Sequence, residues 1–217
     1  MIKKIFRFLV LLIILVGVIG FLAYLYVDKP LPNGTQGLQA EQLADEMLEA
    51  LNKPAFDTLE YISFTFKGVH THRWDRANNQ VTVLWEENEV FLDLNKPSTE
   101  YNMLEFKAYQ FFINDTFWLV APFKVRDDGV VRSTVDTEIG RGLLVTYTTG
   151  GVTPGDSYLW ILDEKGFPKA WKLWTSNVPI GGLEFSWDEW EEHSNVWFST
   201  MHISSILTLD MTGLEVR

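Results

Sequence analysis

The sequence predicts a mainly β protein of the α+β class. We expect a strongly curved antiparallel sheet or incomplete β-barrel with one or two covering helices, plus an N-terminal transmembrane helix. Three observations predict this architecture. Apolar and polar residues alternate repeatedly between turn residues, and a run of twenty residues near the N-terminus carries no charge. Aromatic residues form 14% of the 217 residues and include nine Trp, more than one ordinary core needs.

The uncharged run occupies residues 8–27 and is long enough to cross a hydrocarbon core of about 30 Å as a helix. A cleaved signal peptide is the alternative, but its small-residue cleavage site is replaced here by the bulky sequence AYLYVDKP. Lys3, Lys4 and Arg7 precede the run, which favours a cytoplasmic N-terminus. The sequence therefore predicts a cytoplasmic basic tail at residues 1–7 and a single-pass anchor in the cytoplasmic (inner) membrane. The main domain would then be extracytoplasmic or periplasmic.

A linker and an amphipathic helix follow the predicted anchor. Residues 28–37 are rich in Pro and Gly and have no periodicity, so they read as a linker to a domain at residues 38–217. Residues 38–52 place apolar side chains at three- and four-residue steps, with Pro54 as a stop signal. The polar face is acidic, so we expect the apolar face to pack on the sheet of the same domain.

Beyond Pro54 the period changes to two. From Ile62 to Trp74 the even-numbered positions are largely apolar or aromatic and the odd-numbered positions are polar, which predicts one long strand with an inward face. Asn78-Asn79 supplies turn residues before a return strand at Val81–Trp85, and a third strand follows at Val90–Leu94. The consequence is an antiparallel meander.

The rest of the domain combines one helical segment with further strands. Residues 100–113 suit a mostly buried helix or an irregular crossover, and residues 117–125 read as a strand before the turn Asp127-Asp128-Gly129. Later strand-like runs are separated by turn residues that include Gly150-Gly151; these runs are 143–148, 157–163, 170–175, 183–187, 196–203 and 206–211. About ten strands suit a curved sheet or barrel.

Composition excludes several classes of function. With Lys3, Lys4 and Arg7 set aside, 15 basic residues face 29 acidic ones, so phosphate-mediated binding to nucleic acid is not expected. The absence of Cys removes disulfides, thiolate chemistry and a lipidated cysteine anchor. No G-x-S-x-G, H-E-x-x-H or phosphate-binding glycine loop is present, so the sequence predicts no enzyme and no cofactor.

Three sequence blocks carry a resemblance to a known group. The blocks are His70-x-His72-x-Trp74-Asp75, the segment Asn114–Val125 followed by Asp127–Val130, and the segment Gly151–Tyr158. Over residues 56–203 the chain resembles uncharacterised extracytoplasmic proteins related to the lipoprotein-localisation factors. Those factors share an incomplete β-barrel with a lid over an apolar cavity that accepts acyl chains. The resemblance therefore implies such a cavity, whereas the predicted uncleaved anchor argues against a freely diffusing carrier.

These considerations select candidate ligand-binding residues. In the lipid-carrier interpretation, aromatic residues line or cap the cavity, and Lys124 or Arg126 meets an acidic head group at its rim. The full candidate set for cavity or rim is Phe64, Phe66, His70, His72, Trp74, Trp118, Phe123 and Lys124. In the alternative interpretation, Trp118 is a core residue and Lys124 is solvated.

His70 and His72 stand at positions i and i+2 of a predicted strand, so both imidazoles project from one face and could offer two ligands to a metal. His202 or an acid could supply a third ligand, although the spacing selects none, and partly buried histidines without metal are the alternative. The sequence thus favours a membrane-tethered binding protein with an aromatic-lined apolar cavity for a lipid, acyl chain or lipoprotein-like amphiphile. A cell-envelope module with a filled core is the second hypothesis, and a metal-dependent hydrolase using His70 and His72 is the weakest.

Overall fold

The computed structural model describes residues 2–138, 141–149 and 153–217; the side chains of residues 2–6, 8, 21, 23 and 26 are not described. Gly150-Gly151, where the sequence predicts a turn, lies outside the described residues. The described chain is mainly β, with twelve strands in two antiparallel sheets that do not close into a barrel, and four α-helices.

The N-terminal helix α1 comprises Ile2–Val27, and apolar side chains such as Leu11 and Ile13 are exposed along it. Over the described residues, no helix is both long enough and apolar enough to cross a membrane. The anchor predicted at residues 8–27 stays a prediction.

The segment predicted as a linker packs along the domain. Its first residues bind the loop that follows β8 (Pro168–Trp174): the Lys29 amide donates to the Gly181 carbonyl, and the Trp174 indole donates to the Lys29 carbonyl over 2.7 Å. Further along, Thr35 and Thr134 exchange two backbone hydrogen bonds at the outer edge of β5 (Val130–Asp136). Both ends of the linker are therefore fixed to the five-stranded sheet.

The predicted amphipathic helix is confirmed as α2, Leu38–Ala50. Its buried face packs towards β5 and β6 (Arg141–Tyr147), and the residues of that face are Ala40, Leu43, Ala44, Met47 and Leu48. Pro54 does not end this helix. It lies in the first turn of a second, short helix, α3 (Lys53–Thr58), where the backbone N–H that proline lacks has no partner within the helix. The Asn52 side chain caps this helix by accepting a hydrogen bond from the Ala55 amide.

Strand β1 (Tyr61–Phe66) and strand β2 (His70–Asp75) replace the single long strand predicted from residue 62 to residue 74. Lys67 and Gly68 have φ values of 51° and 66°, and this left-handed backbone turns the chain through a hairpin. The hairpin places Phe64 opposite His72. Residues directly opposite in an antiparallel pair share a face, so the predicted common face is preserved although the strand is not continuous.

The seven-stranded sheet has the order β10-β11-β12-β1-β2-β3-β4, so the last strand of the chain pairs with the first strand of the meander. Its remaining strands are β3 (Gln80–Trp85), β4 (Asn88–Asp93), β10 (Asp188–His193), β11 (Val196–Ile203) and β12 (Thr208–Val216). The five-stranded sheet has the order β5-β6-β7-β8-β9, with β6 (Arg141–Tyr147), β7 (Ser157–Leu162) and β9 (Leu183–Ser186). No strand was predicted from the sequence at the positions of β5 and β10.

Helix α4 comprises Met103–Val120, and a 3₁₀ turn at Ala121–Lys124 follows it. Asn102 and Glu105 form a reciprocal capping box at its start, which explains why the helix begins at this point. The predicted strand at residues 117–125 is therefore wrong. No Gly or Pro occurs between Met103 and Pro122, so the helix continues past residue 113 and its aromatic side chains reach both sheets.

Candidate functional site

Helix α4 lies between the two sheets and has a different environment on each side. On one side, which we call the strand side, Asp115 contacts β2 of the seven-stranded sheet. On the other, the groove side, Phe117 packs against Tyr147, Tyr158 and Trp171 of the five-stranded sheet, at ring-centroid distances between 5.1 and 5.9 Å.

An apolar groove of about 520 Å³ runs along the groove side. Its helical wall extends from Tyr109 to Val120, which corresponds to about 16 Å at the rise of an α-helix. Eight of its lining residues are aromatic, namely Trp74, Tyr109, Phe112, Phe117, Trp118, Tyr147, Tyr158 and Trp171. The volume lies within the range of small-molecule sites, about 300–1,000 Å³, and the shape is elongated.

One end of the groove has a polar rim. Lys124, Asp127, Asp128 and Asp156 contribute to its lining there. Lys124 forms an ion pair with Asp127, and the Asp156 carboxylate accepts hydrogen bonds from the Ser176 amide at 3.0 Å and the Thr153 hydroxyl at 2.6 Å. The rim therefore has more carboxylates than cations.

Tyr147 and Tyr158 of the groove remain neutral over the physiological range. Burial raises the pKa of Tyr158 above its ordinary value, and the nearby Asp156 carboxylate acts in the same direction. Burial also raises the pKa of Tyr147 well above that of a free phenol. Both phenols therefore add aromatic surface to the groove without adding charge.

The structure brings three of the eight predicted cavity residues to the groove, namely Trp74, Trp118 and Lys124. Phe64 and Phe66 lie in the core. Phe123 is also in the core, where its ring stacks on Phe56 with centroids 4.0 Å apart.

The two basic residues predicted for an acidic head group are both engaged by carboxylates. Lys124 lies at the rim beside Asp127, whereas the Arg126 guanidinium binds Glu41 and Asp45 of α2. These ion pairs leave the rim without an uncompensated cation among the lining residues.

All three blocks that carry the sequence resemblance meet at this groove. Trp74 comes from the first block, Trp118 and Lys124 from the second, and Asp156 and Tyr158 from the third. Chain segments that are more than twenty residues apart in sequence thus form one surface.

His70, His72 and Asp115 form a compact cluster on the strand side of α4. One oxygen of the Asp115 carboxylate accepts hydrogen bonds from His70 Nδ1 at 2.8 Å and from His72 Nε2 at 2.9 Å. Asp115 is 6% exposed and His72 is fully buried, whereas the His70 side chain remains 19% exposed. The prediction that the two histidines project from one face is confirmed.

Aromatic rings enclose this cluster. The His70 imidazole stacks on Phe111 with ring centroids 3.9 Å apart, and the His72 imidazole contacts Phe64 at 5.1 Å and Phe112 at 6.0 Å. These contacts fix the two imidazoles in an environment of low polarity around a buried carboxylate.

His202, the third histidine considered as a ligand, lies elsewhere. It is buried between Trp118 and Trp187, and its Nδ1 donates to the Ser186 carbonyl over 3.1 Å. Burial lowers the pKa of His202 to about 4, so this imidazole is neutral at physiological pH.

Asp115 is the residue that sequence reasoning missed. It is the only charged residue between Ala108 and Phe123, and this isolation is the signal that could have identified it. A lone carboxylate in an apolar helix must be neutralised or hydrogen bonded when it is buried.

No protein-family model matches the chain, and a comparison with curated proteins gives no match either. The resemblance to the lipoprotein-localisation factors stays a prediction. Any function of this chain must therefore be argued from the groove and the cluster themselves.

Proposed function

We propose that this protein is a membrane-tethered, extracytoplasmic binding protein whose groove holds the apolar part of an amphiphile, such as an acyl chain. The observation that supports this proposal is the elongated aromatic groove of about 520 Å³ with a polar rim at one end. An amphiphile has the same division, since its chain is apolar and its head group is polar.

Burial of an acyl chain in this groove would supply the binding energy. Each methylene removed from water contributes about 0.8 kcal/mol, so a chain with several buried methylenes binds without any specific polar contact. Phe117 and Trp118 are partly exposed although they lie among aromatic neighbours of the core, and a bound chain would cover them.

The rim favours a neutral or cationic head group. Asp127, Asp128 and Asp156 outnumber Lys124 there, and Lys124 is already paired. An anionic head group would meet like charges at this rim, and repulsion of this kind acts against the wrong ligand. The acidic surplus of the whole chain, with a formal net charge of −11, acts in the same direction.

The proposal includes the anchor, a domain that resembles an incomplete barrel, and a location at the outer face of the cytoplasmic membrane. Support for the location comes from the uncharged residues 8–27 and the basic residues before them. The packed linker would hold the groove close to the membrane, where it could receive or present a lipid.

The filled-core hypothesis accounts less well for the structure. Trp160 and Trp171 are fully buried and fill the core between the sheets, as that hypothesis expects. The groove nevertheless lies beside Trp171 and has space for a ligand. A protein with a purely structural role has no need of this volume.

Photo-crosslinking of the full chain would test the proposal. The probe is a monoacylglycerol with a photoreactive diazirine in its acyl chain, and peptide mass spectrometry locates the crosslinks. We expect crosslinks at residues 109–120 and in β7 and β8, in addition to any at α1. Their absence from the groove, with crosslinks at α1 alone, would refute the proposal.

A pair of matched variants makes the test specific. Val178→Trp introduces a large side chain into the lining, whereas Val131→Trp makes the same change at an exposed strand position. We expect Val178→Trp to remove the groove crosslinks and to retain those at α1. Val131→Trp should retain both sets.

A further inference from the structure

His70, His72 and Asp115 bring together three side-chain atoms that can each bind a metal ion. Two imidazole nitrogens and one carboxylate oxygen lie within 4.8 Å of one another. The ligand atoms come from β2 and α4, and so the packing of the helix on the sheet fixes their arrangement.

The distances suit a single ion. A zinc ion bonds nitrogen and carboxylate oxygen at about 2.0–2.2 Å, so donor atoms that share an ion are about 3 to 3.5 Å apart. The two N···O separations of 2.8 and 2.9 Å need only a small outward shift of the side chains to reach this spacing.

The charge balance also favours a cation. Asp115 is nearly inaccessible to water, and among the described residues no Lys or Arg forms an ion pair with it. Its polar contacts are the two imidazoles. A buried carboxylate is costly unless a positive charge compensates it, and a divalent ion supplies that charge.

We propose that His70, His72 and Asp115 bind a divalent transition-metal ion, with zinc as the reference case. Two imidazoles favour zinc, iron, cobalt or nickel over magnesium and calcium, which prefer oxygen ligands. The ligand atoms are His70 Nδ1, His72 Nε2 and the Asp115 carboxylate. The partly exposed His70 gives the ion a route from solvent and leaves a side of the ion open to a further ligand.

The surroundings of His72 set the expected affinity. Its Nδ1 is buried and has no hydrogen-bond partner in the part of the chain that the structure describes. Most metal-binding histidines donate this second N–H to an acceptor, and loss of such a bond weakens metal binding about 10- to 100-fold. We therefore expect weaker metal binding than at a site where every ligating histidine also donates a hydrogen bond from its second ring nitrogen. At His72, contacts with Phe64 and Phe112 hold the imidazole in place instead.

The test measures zinc binding to the full chain without a polyhistidine tag. Isothermal titration after treatment with a chelator should show one equivalent of Zn²⁺, and elemental analysis should confirm the stoichiometry. Co²⁺ at the same site should give the visible absorption of a low-symmetry site. A chain that binds no stoichiometric Zn²⁺, Co²⁺ or Ni²⁺ would overturn the proposal.

Conservative variants distinguish metal binding from hydrogen bonding. His70→Asn and His72→Gln keep an N–H close to the donating nitrogen and remove the metal ligand. We expect each to weaken Zn²⁺ binding by on the order of 100-fold or more, beyond the effect of an outer-sphere change. His193→Gln is the matched control, since it removes an imidazole that faces a carboxylate, Glu191, on the distant strand β10.

Native affinity in both cluster variants would also overturn the proposal. If His72→Gln fails to fold, the partly exposed His70 position still decides the question. The metal proposal is independent of amphiphile binding, because none of its three ligands lines the groove that the crosslinking experiment probes.

Discussion

The side chains on the two sides of helix α4 are packed differently. On the strand side, Ala108 belongs to a closely packed cluster with β3 and β4, and Asp115 is covered by two imidazoles. On the groove side, Phe117 and Trp118 contact aromatic neighbours but leave a volume of about 520 Å³ beside them. One helix thus separates a filled interior from an unfilled one.

This difference shows that aromatic richness has two separate consequences. Trp and Phe side chains fill the core where small residues such as Ala108 lie between them. They line a groove where large flat rings from facing elements cannot interdigitate completely. Close packing is normal for protein interiors, and the unfilled groove is where we propose that a ligand binds.

The largest expected effect concerns Asp115. Asp115→Ala leaves the His70 and His72 N–H groups without an acceptor in a buried site, and we expect a loss of about 3 kcal/mol in the free energy of unfolding. Chemical denaturation in the presence of a chelator measures this loss. Asp128→Ala, at the exposed groove rim, should change stability by less than about 0.5 kcal/mol. Equal losses at both positions would remove the distinction between the two sides.

A second test concerns the pH dependence of folding stability that we expect from His202. This residue lies behind the groove wall, in contact with Trp118. The pKa of His202 is about 4 in the folded chain because burial disfavours its charged form, against 6.5 for an ordinary histidine. The unfolded chain therefore binds a proton first as the pH falls. Stability is retained above pH 6.5 and decreases by about 3 kcal/mol as the pH falls to about 4.

His202→Asn identifies the source of this acid sensitivity. The Asn amide can still donate to the Ser186 carbonyl but does not titrate. Denaturation midpoints between pH 7 and pH 4 should therefore fall less steeply for the variant than for the native chain. Equal slopes would assign the acid sensitivity to the carboxylates instead.

The smallest expected effect is the change in stability when a larger side chain is introduced on either side of α4. Ala108→Leu inserts three carbon atoms into a filled core and should cost about 1–3 kcal/mol. Thr116→Leu adds volume beside the groove and removes a hydroxyl that has no partner among the described residues, so we expect little or no loss. Thermal unfolding of both variants measures the difference. A larger loss for Thr116→Leu would show that the groove side is closely packed.

Several features of the fold could be predicted from periodicity. The even-position pattern from Ile62 to Trp74 identified the buried face of β1 and β2, because side-chain alternation is a local property. The same pattern hid the turn at Lys67-Gly68. A hairpin that pairs Phe66 with His70 preserves the parity of the sequence, so one strand and two strands give the same alternation.

The site was only partly predictable, for a related reason. His70 and His72 could be placed on one face from their spacing, and of the eight candidate cavity residues Trp74, Trp118 and Lys124 line the groove. Aromatic residues from 117 to 123 suit a buried strand or a buried helix equally well. Because residues 117–125 were interpreted as a strand, Asp115 was not placed on a helix that contacts β2.

The sequence by itself determined the mainly β class, the amphipathic helix α2, the acidic charge and the absence of cysteine chemistry. These properties follow from composition and short-range periodicity. The tertiary structure alone decided that Asp115 meets His70 and His72, and that three distant blocks line one groove. Such contacts depend on the packing of α4 between two sheets, and local spacing contains no information about which distant segments that packing brings together.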